Sequence, residues 1–161
     1  MFLLRTALIS GRNAVVAHLK SRCPSTIPVV ALRTSSAERK DYKSMVDPKR
    51  VLSYEDMLKV IHQPQKVIID VRDPEEVHTT GKIPSSINIP LGEVQNALVT
   101  MSHEDFRRQF QREKPACSDE LIFYCQSGRR SSEALDKALQ LGYTNSKTYL
   151  GSWIDWSSRR K

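Results

Sequence analysis

No acidic side chain occurs before Glu38 in this 161-residue chain, whereas five basic ones do: Arg5, Arg12, Lys20, Arg22 and Arg33. The formal charge of +7 is therefore concentrated at the amino end, and the remainder carries +2 with acids and bases mixed. Such a balance excludes a basic nucleic-acid-binding surface as the meaning of the charge. Cysteine is scarce, with only Cys23, Cys117 and Cys125 present. An odd number at irregular spacing argues against a disulfide framework and points to a reducing compartment. There is no Cys-x-x-Cys, and His18, His62, His78 and His103 show no ligand spacing, which argues against zinc. No run approaches the roughly 18 apolar residues of a membrane span. Internal repeats are absent too.

What is present is a soluble, globular composition. Apolar residues make up 39% and charged residues 27%, so disorder throughout is excluded, and the length suits one domain with a short appendage. The first 35 residues are rich in Arg, Ser, Ala and Leu. A helix over Phe2 to Lys20 would gather leucines and valines on one side and set Arg5 and Arg12 about two turns apart. That pattern predicts a mitochondrial transit peptide over 1–35, with a disordered basic tail as the alternative, and places the protein in the mitochondrial matrix. Cys23 would leave with it. Mixed composition over 36–50 reads as a linker, and the folded domain is expected over 51–161.

Within that domain, short β-branched runs alternate with helical patterns. Ser53 and Asp56 form a capping arrangement before a helix with Tyr54, Met57, Leu58 and Ile61 on one face. "KVIIDV" has the continuous apolar pattern of a strand buried on both faces. "PEEVH" opens with a helix-starting proline, and Glu75 and Glu76 suit its N-terminus. "INI" is a second short strand, and "GEVQNAL" and "SHEDFRRQFQRE" are helical, the latter capped by Ser102. "LIFY", "SSEALDKALQLGY", "KTYL" and "SWIDW" follow as strand, helix, strand and helical turn. This alternation predicts a small α/β domain with a parallel sheet and helices on both faces.

The chemistry concentrates in "LIFYCQSGRRSSEALDKAL". Cys125 falls where a buried strand hands over to a helix, the edge at which parallel sheets bind ligands. A cysteine ending a strand is by itself a small hydrophobe, and Cys117 in "KPACSDE" takes that reading or an exposed-loop one. The loop after Cys125 changes the reading. Gly128 can adopt positive φ and shape a nest of backbone N–H groups with Gln126 and Ser127. The helix start adds its positive end, and Arg129 and Arg130 add full charges. Each favours thiolate over thiol, so the pKa of Cys125 is expected below the free value of about 8.5. Arg130 is expected to meet an incoming anion and Arg129 to face more away.

The spacing separates two anion-handling enzymes. A cysteine-dependent phosphatase would place arginine where Ser131 stands. The shorter cysteine-x-x-glycine-x-arginine loop instead resembles the active-site loop of the rhodanese (thiosulfate sulfurtransferase) family, in its single-domain mitochondrial form. "VIIDVRDPEEVHTTGKIPSSINIP" is similar to that family's first signature at Asp70, Val71, Arg72, Gly81, Ile83, Pro84, Asn88 and Pro90. "YLGSWIDW" resembles its closing segment at Gly151, Trp153 and Trp156. Lys82 departs from the usual histidine, Ser85-Ser86 from Gly-Ala and Val77 from an aromatic, and one extra residue lies between Glu76 and Gly81.

The resemblance implies transfer of sulfane sulfur from a small anionic donor, such as thiosulfate or a persulfide, through a Cys125 persulfide. The acceptor would be a thiol such as glutathione or thioredoxin, or cyanide, with no metal or organic cofactor. Gln126, Ser127, Gly128, Arg129 and Arg130 would bind substrate. Asp70 and Arg72 would support the strand end by hydrogen bonds, and Trp153 and Trp156 would be core or cover. A non-catalytic rhodanese-like binding module is the rival from another class, and a phosphatase the weaker third.

Overall fold

A computed structural model describes residues 42–160. The expected transit peptide, with Cys23, lies outside the described residues. Four parallel strands run in the order β2-β1-β3-β4: β1 Val67–Asp70, β2 Ser86–Asn88, β3 Leu121–Tyr124 and β4 Lys147–Thr148. β1 and β3 occupy the centre, which explains why their sequences are apolar without alternation. Every residue of both is buried.

Side-chain alternation along these strands builds two cores. Val67, Ile69, Leu121, Phe123 and the following Cys125 face one side, against Phe106 of α4 (His103–Phe110) and Ala134, Leu135 and Ala138 of α5 (Arg129–Gln140). Ile68, Ile122 and Tyr124 face the other, against Met57 and Val60 of α2 (Tyr54–Val60) and Trp156 of α6 (Ser152–Ser158). Helices thus cover both faces, as expected. α3 spans Pro74–Thr80, and its carboxyl end feeds the turn into β2.

Local chemistry explains the helix ends. Ser53 and Asp56 make a reciprocal capping box on α2, and Ser102 Oγ accepts from Asp105 N–H at the start of α4. Gly142, at φ +91°, closes α5 by letting Tyr143 N–H return to the Ala138 carbonyl.

Four expectations differ from the structure. The second half of the expected linker is ordered: α1 covers Tyr42–Met45, a 3₁₀ turn covers Pro48–Arg50, and Val46 enters the first core. Arg50 ties this segment down by donating to the carbonyls of Thr144 and Ser146. In α2, Val60 is buried and Leu58 is exposed, because only the side holding Met57, Val60 and Ile61 meets the sheet in so short a helix. "GEVQNAL" ends in a π-helical turn, Asn96–Thr100. Finally, β4 pairs only through Lys147 and Thr148, since Tyr149 already begins the turn that swings the chain toward Cys125.

Candidate active site

Cys125 follows β3 directly and carries a free thiol that is 1% exposed. The strand delivers it to the sheet's carboxyl edge, and the next three residues turn the chain into α5. Gly128, at φ +102°, supplies the left-handed conformation that this tight turn requires. Its N–H points back at Cys125 Sγ, 3.1 Å away. Its carbonyl is fixed from the other side, accepting from Ser131 Oγ at 3.0 Å and Ser132 Oγ at 2.9 Å. Ser131 Oγ in turn lies 3.0 Å from Thr148 Oγ1, so β4 anchors the first turn of α5. The two serines of "GRRSSE" are therefore internal braces of the loop.

The start of α6 clamps the loop from the opposite side. Trp153 N–H donates to the Cys125 carbonyl at 2.9 Å and Ile154 N–H to the Gln126 carbonyl at 3.2 Å. Ser152, fully buried, has the unusual φ of +54°. That conformation turns its hydroxyl inward, where it accepts from Cys125 N–H at 3.2 Å and lies 3.8 Å from Sγ.

These contacts decide the protonation of the thiol. Burial pushes the Cys125 pKa up. The backbone N–H groups of Ser131, Gly128 and Ser127, joined by the Ser152 hydroxyl, outweigh burial and leave the pKa below its ordinary value. The expected direction is present, but the leading stabilisers are N–H dipoles rather than arginines.

The two arginines occupy different settings. Arg130 turns its guanidinium fork to Glu76 of α3, with bonds of 2.6 and 2.8 Å, and Asp73 lies 3.5 Å away. Glu76, whose carboxylate also accepts from Asp73 N–H, has its pKa lowered to about 2, chiefly by Arg130. Arg129 is exposed and meets no carboxylate among the described residues. Glu76 and, after it, the charge of Cys125 raise the pKa of Arg130, so this arginine joins the acid of α3 to the thiol's surroundings.

Asp70 and Arg72 are both fully buried and form a bidentate pair, with Arg72 Nη2 2.7 Å and Nε 3.0 Å from the carboxylate. Arg72 also donates to Thr80 Oγ1 at 2.8 Å, to the Gly81 carbonyl at 2.8 Å and to Gln126 Oε1 at 3.4 Å. Its guanidinium carbon lies 4.9 Å from the Trp153 ring centroid. The pair therefore binds the end of β1, the end of α3, the cysteine loop and α6 together. Trp153 is the half-buried cover of this network, and Trp156 is core.

Sequence reasoning overlooked Ser152 and treated Glu76 only as a helix-start acid. The position of Ser152 between glycine and tryptophan marked a turn into a helix, but nothing in it announced a positive φ. Glu76 and Arg130 are 54 positions apart, and no local pattern joins them. Among the described residues, no three His, Cys, Asp or Glu side chains converge as metal ligands.

Comparison with known proteins identifies relatives of this chain. The family model described as "Rhodanese-like domain" matches residues 53–159. The mouse thiosulfate sulfurtransferase/rhodanese-like domain-containing protein 3 is 41% identical over 109 residues, covering 68% of each chain. Thiosulfate:glutathione sulfurtransferase of Saccharomyces cerevisiae is 41% identical over 108 residues, 66% of this chain and 76% of its own. Among solved structures, the human single-domain sulfurtransferase TSTD1 superposes with a TM-score of 0.64 at 33% identity, covering 70% of this chain and 98% of that one. A buried cysteine held by loop N–H groups between a parallel strand and a helix, in a chain with these relatives, leads to one assignment: the protein belongs to the rhodanese-like domain family.

Proposed function

We propose that the protein is a sulfurtransferase that moves sulfane sulfur from thiosulfate, or a related persulfide donor, to a thiol or cyanide through a persulfide on Cys125. The observation that carries this reading is the set of backbone N–H groups converging on Cys125 Sγ, with Gly128 N–H at 3.1 Å. A phosphate-sized cradle would need a longer loop, whereas this one encloses a single sulfur. Relatives at 41% identity named for thiosulfate and glutathione support the donor and acceptor classes.

In the first step the Cys125 thiolate attacks the outer sulfur of thiosulfate. A new S–S bond forms to Sγ, the donor's S–S bond breaks, and sulfite departs with that bond's electron pair. The persulfide keeps the single negative charge that the thiolate brought. Loop N–H groups that favour a sulfur anion at Sγ then favour it on the terminal sulfur as well. In the second step an acceptor thiolate attacks that terminal sulfur, leaves as a persulfide and restores the Cys125 thiolate. Cyanide leaves as thiocyanate by the same displacement. Exposed Arg129 draws in the anionic donor, Gln126 and Ser127 line its approach, and Arg130, paired with Glu76 and coupled to the Cys125 charge, holds the loop beside the thiolate.

Residues 1–35 direct this activity to the mitochondrial matrix. Relatives named as mitochondrial thiosulfate sulfurtransferases in Schizosaccharomyces pombe and Saccharomyces cerevisiae support the organelle. N-terminal sequencing of protein recovered from cells should find a start near Ser35 to Ala37, and an intact Met1 on cytosolic protein would refute the targeting.

Intact-mass and peptide mass spectrometry after incubation with thiosulfate test the chemistry. One sulfur atom is expected on Cys125, removable by cyanide or glutathione and absent in Cys125→Ser. A protein that gains no sulfur from any sulfane donor is a binding module instead.

A further inference from the structure

The edge of the sheet opposite Cys125 is also concave and charged. A cleft of about 300 Å³ opens where β1, β3 and β4 begin, lined by Lys49, Lys59, Lys66 and Lys147 with Val51, Leu52 and Val60 beneath them. That volume is at the lower end of small-molecule sites. Only two carboxylates, Asp56 and Glu120, face the four lysines there. Asp56 is engaged by Ser53, accepting from its N–H at 3.2 Å and its hydroxyl at 2.9 Å. Glu120 Oε1 lies 3.2 Å from both Lys66 Nζ and Lys147 Nζ, so one carboxylate is shared by two ammonium groups. Among the described residues, neither Lys49 nor Lys59 pairs with a carboxylate.

The surplus is positive, and Leu52 and Val60 behind it are buried in the second core. A second cleft of about 330 Å³ shares Lys49, Glu120 and Lys147 with the first and adds Asp47 and Arg50, one charge of each sign, so the positive surplus stays with the four lysines. The wall carrying Lys49 and Val51 belongs to the segment before residue 53, where the match to the family model begins. This groove is therefore a feature of this chain's N-terminal extension packed onto the domain. Glu120 and Cys125 flank β3 at its two ends, about 16 Å apart along an extended strand, so an ion here does not reach the thiol.

We propose that this groove is a second anion-binding site, for a small phosphate-bearing ligand of the diphosphate class. Lys49 and Lys59 would hold the phosphates, with Lys66 and Lys147 beside them on Glu120. The site is independent of the sulfur-transfer reading.

Titration of the full-length protein with ADP, followed by amide chemical shifts, tests it. Saturable shifts are expected at residues 49–52, 59–63 and 146–147, unchanged in Cys125→Ser. Charge reversal by Lys49→Glu or Lys59→Glu should each weaken binding about tenfold at low salt, while Glu120→Gln should tighten it. Both lysines are exposed, so the remaining amide spectrum verifies that each variant stays folded. The proposal is overturned if shifts are absent or confined to residues 125–130. It is equally overturned if both lysine variants bind ADP as the parent protein does.

Discussion

Glu76 and Arg130 meet through two charge-assisted hydrogen bonds of 2.6 and 2.8 Å, joining the first turn of α3 to the first turn of α5. Neither side chain is fully buried, at 35% and 25% exposure, so solvent screens part of their attraction. The bidentate geometry still gives the pair direction. Its consequence is positional: α5 begins at the loop that carries the N–H groups around Cys125. The pair thus acts on the site by holding that loop in place.

This pair should leave a signature in acid stability. The Glu76 pKa is lowered to about 2 from the ordinary 4.5, so the unfolded chain binds the proton more readily between those values. The pair's contribution is full above about pH 4.5 and disappears as pH falls through about 2. In urea unfolding, Glu76→Gln should lose about 1 kcal/mol at pH 6 and little at pH 2. An equal loss at both pH values would show that the pair's charge is not what matters.

Arg129 should matter more than Arg130 to capture of a dianionic donor. Arg129→Glu is expected to lower kcat/KM for thiosulfate about tenfold at low ionic strength, with the defect shrinking as salt is added. Arg130→Ala should instead lower stability and kcat together, and Glu76→Gln should reproduce part of that loss. Steady-state kinetics across a salt series, beside unfolding curves, separates the two outcomes.

Ser152 should tune the thiol. Its hydroxyl helps to lower the Cys125 pKa, so Ser152→Ala should raise the pH midpoint of iodoacetamide alkylation. Persulfide formation at pH 7 should slow several-fold in the same variant. An unchanged midpoint would leave that hydroxyl only its backbone bonds, to the Tyr149 carbonyl at 2.9 Å and from Cys125 N–H at 3.2 Å.

Arg72 should be the least replaceable charged residue of the domain. Arg72→Met would leave Asp70 buried without its partner, which costs about 3–5 kcal/mol. Asp70→Asn combined with Arg72→Met should recover part of that loss in chemical unfolding, though Thr80, Gly81 and Gln126 would still lack their donor. If the double variant is no more stable than Arg72→Met, the loss comes from those other contacts.

Local features of the sequence are enough to determine much of this protein. The uninterrupted apolar runs at Val67 and Leu121 specify central parallel strands, and Ser53, Ser102 and Gly142 specify where helices start and stop. Cys125 at a strand-to-helix junction with Gly128 three residues on specifies a thiol among N–H dipoles, because that geometry is built from neighbours in the chain. Tertiary structure decided what depends on distant partners. It set Glu76 against Arg130 and left Arg129 exposed, although the two arginines are adjacent and chemically alike. It drew Ser152 into a left-handed conformation beneath Cys125, and it packed Val46 and Arg50 of the expected linker onto the domain. Backbone dipoles are fixed by local turns, whereas the partner of a long charged side chain is fixed only when the fold brings another element within its reach.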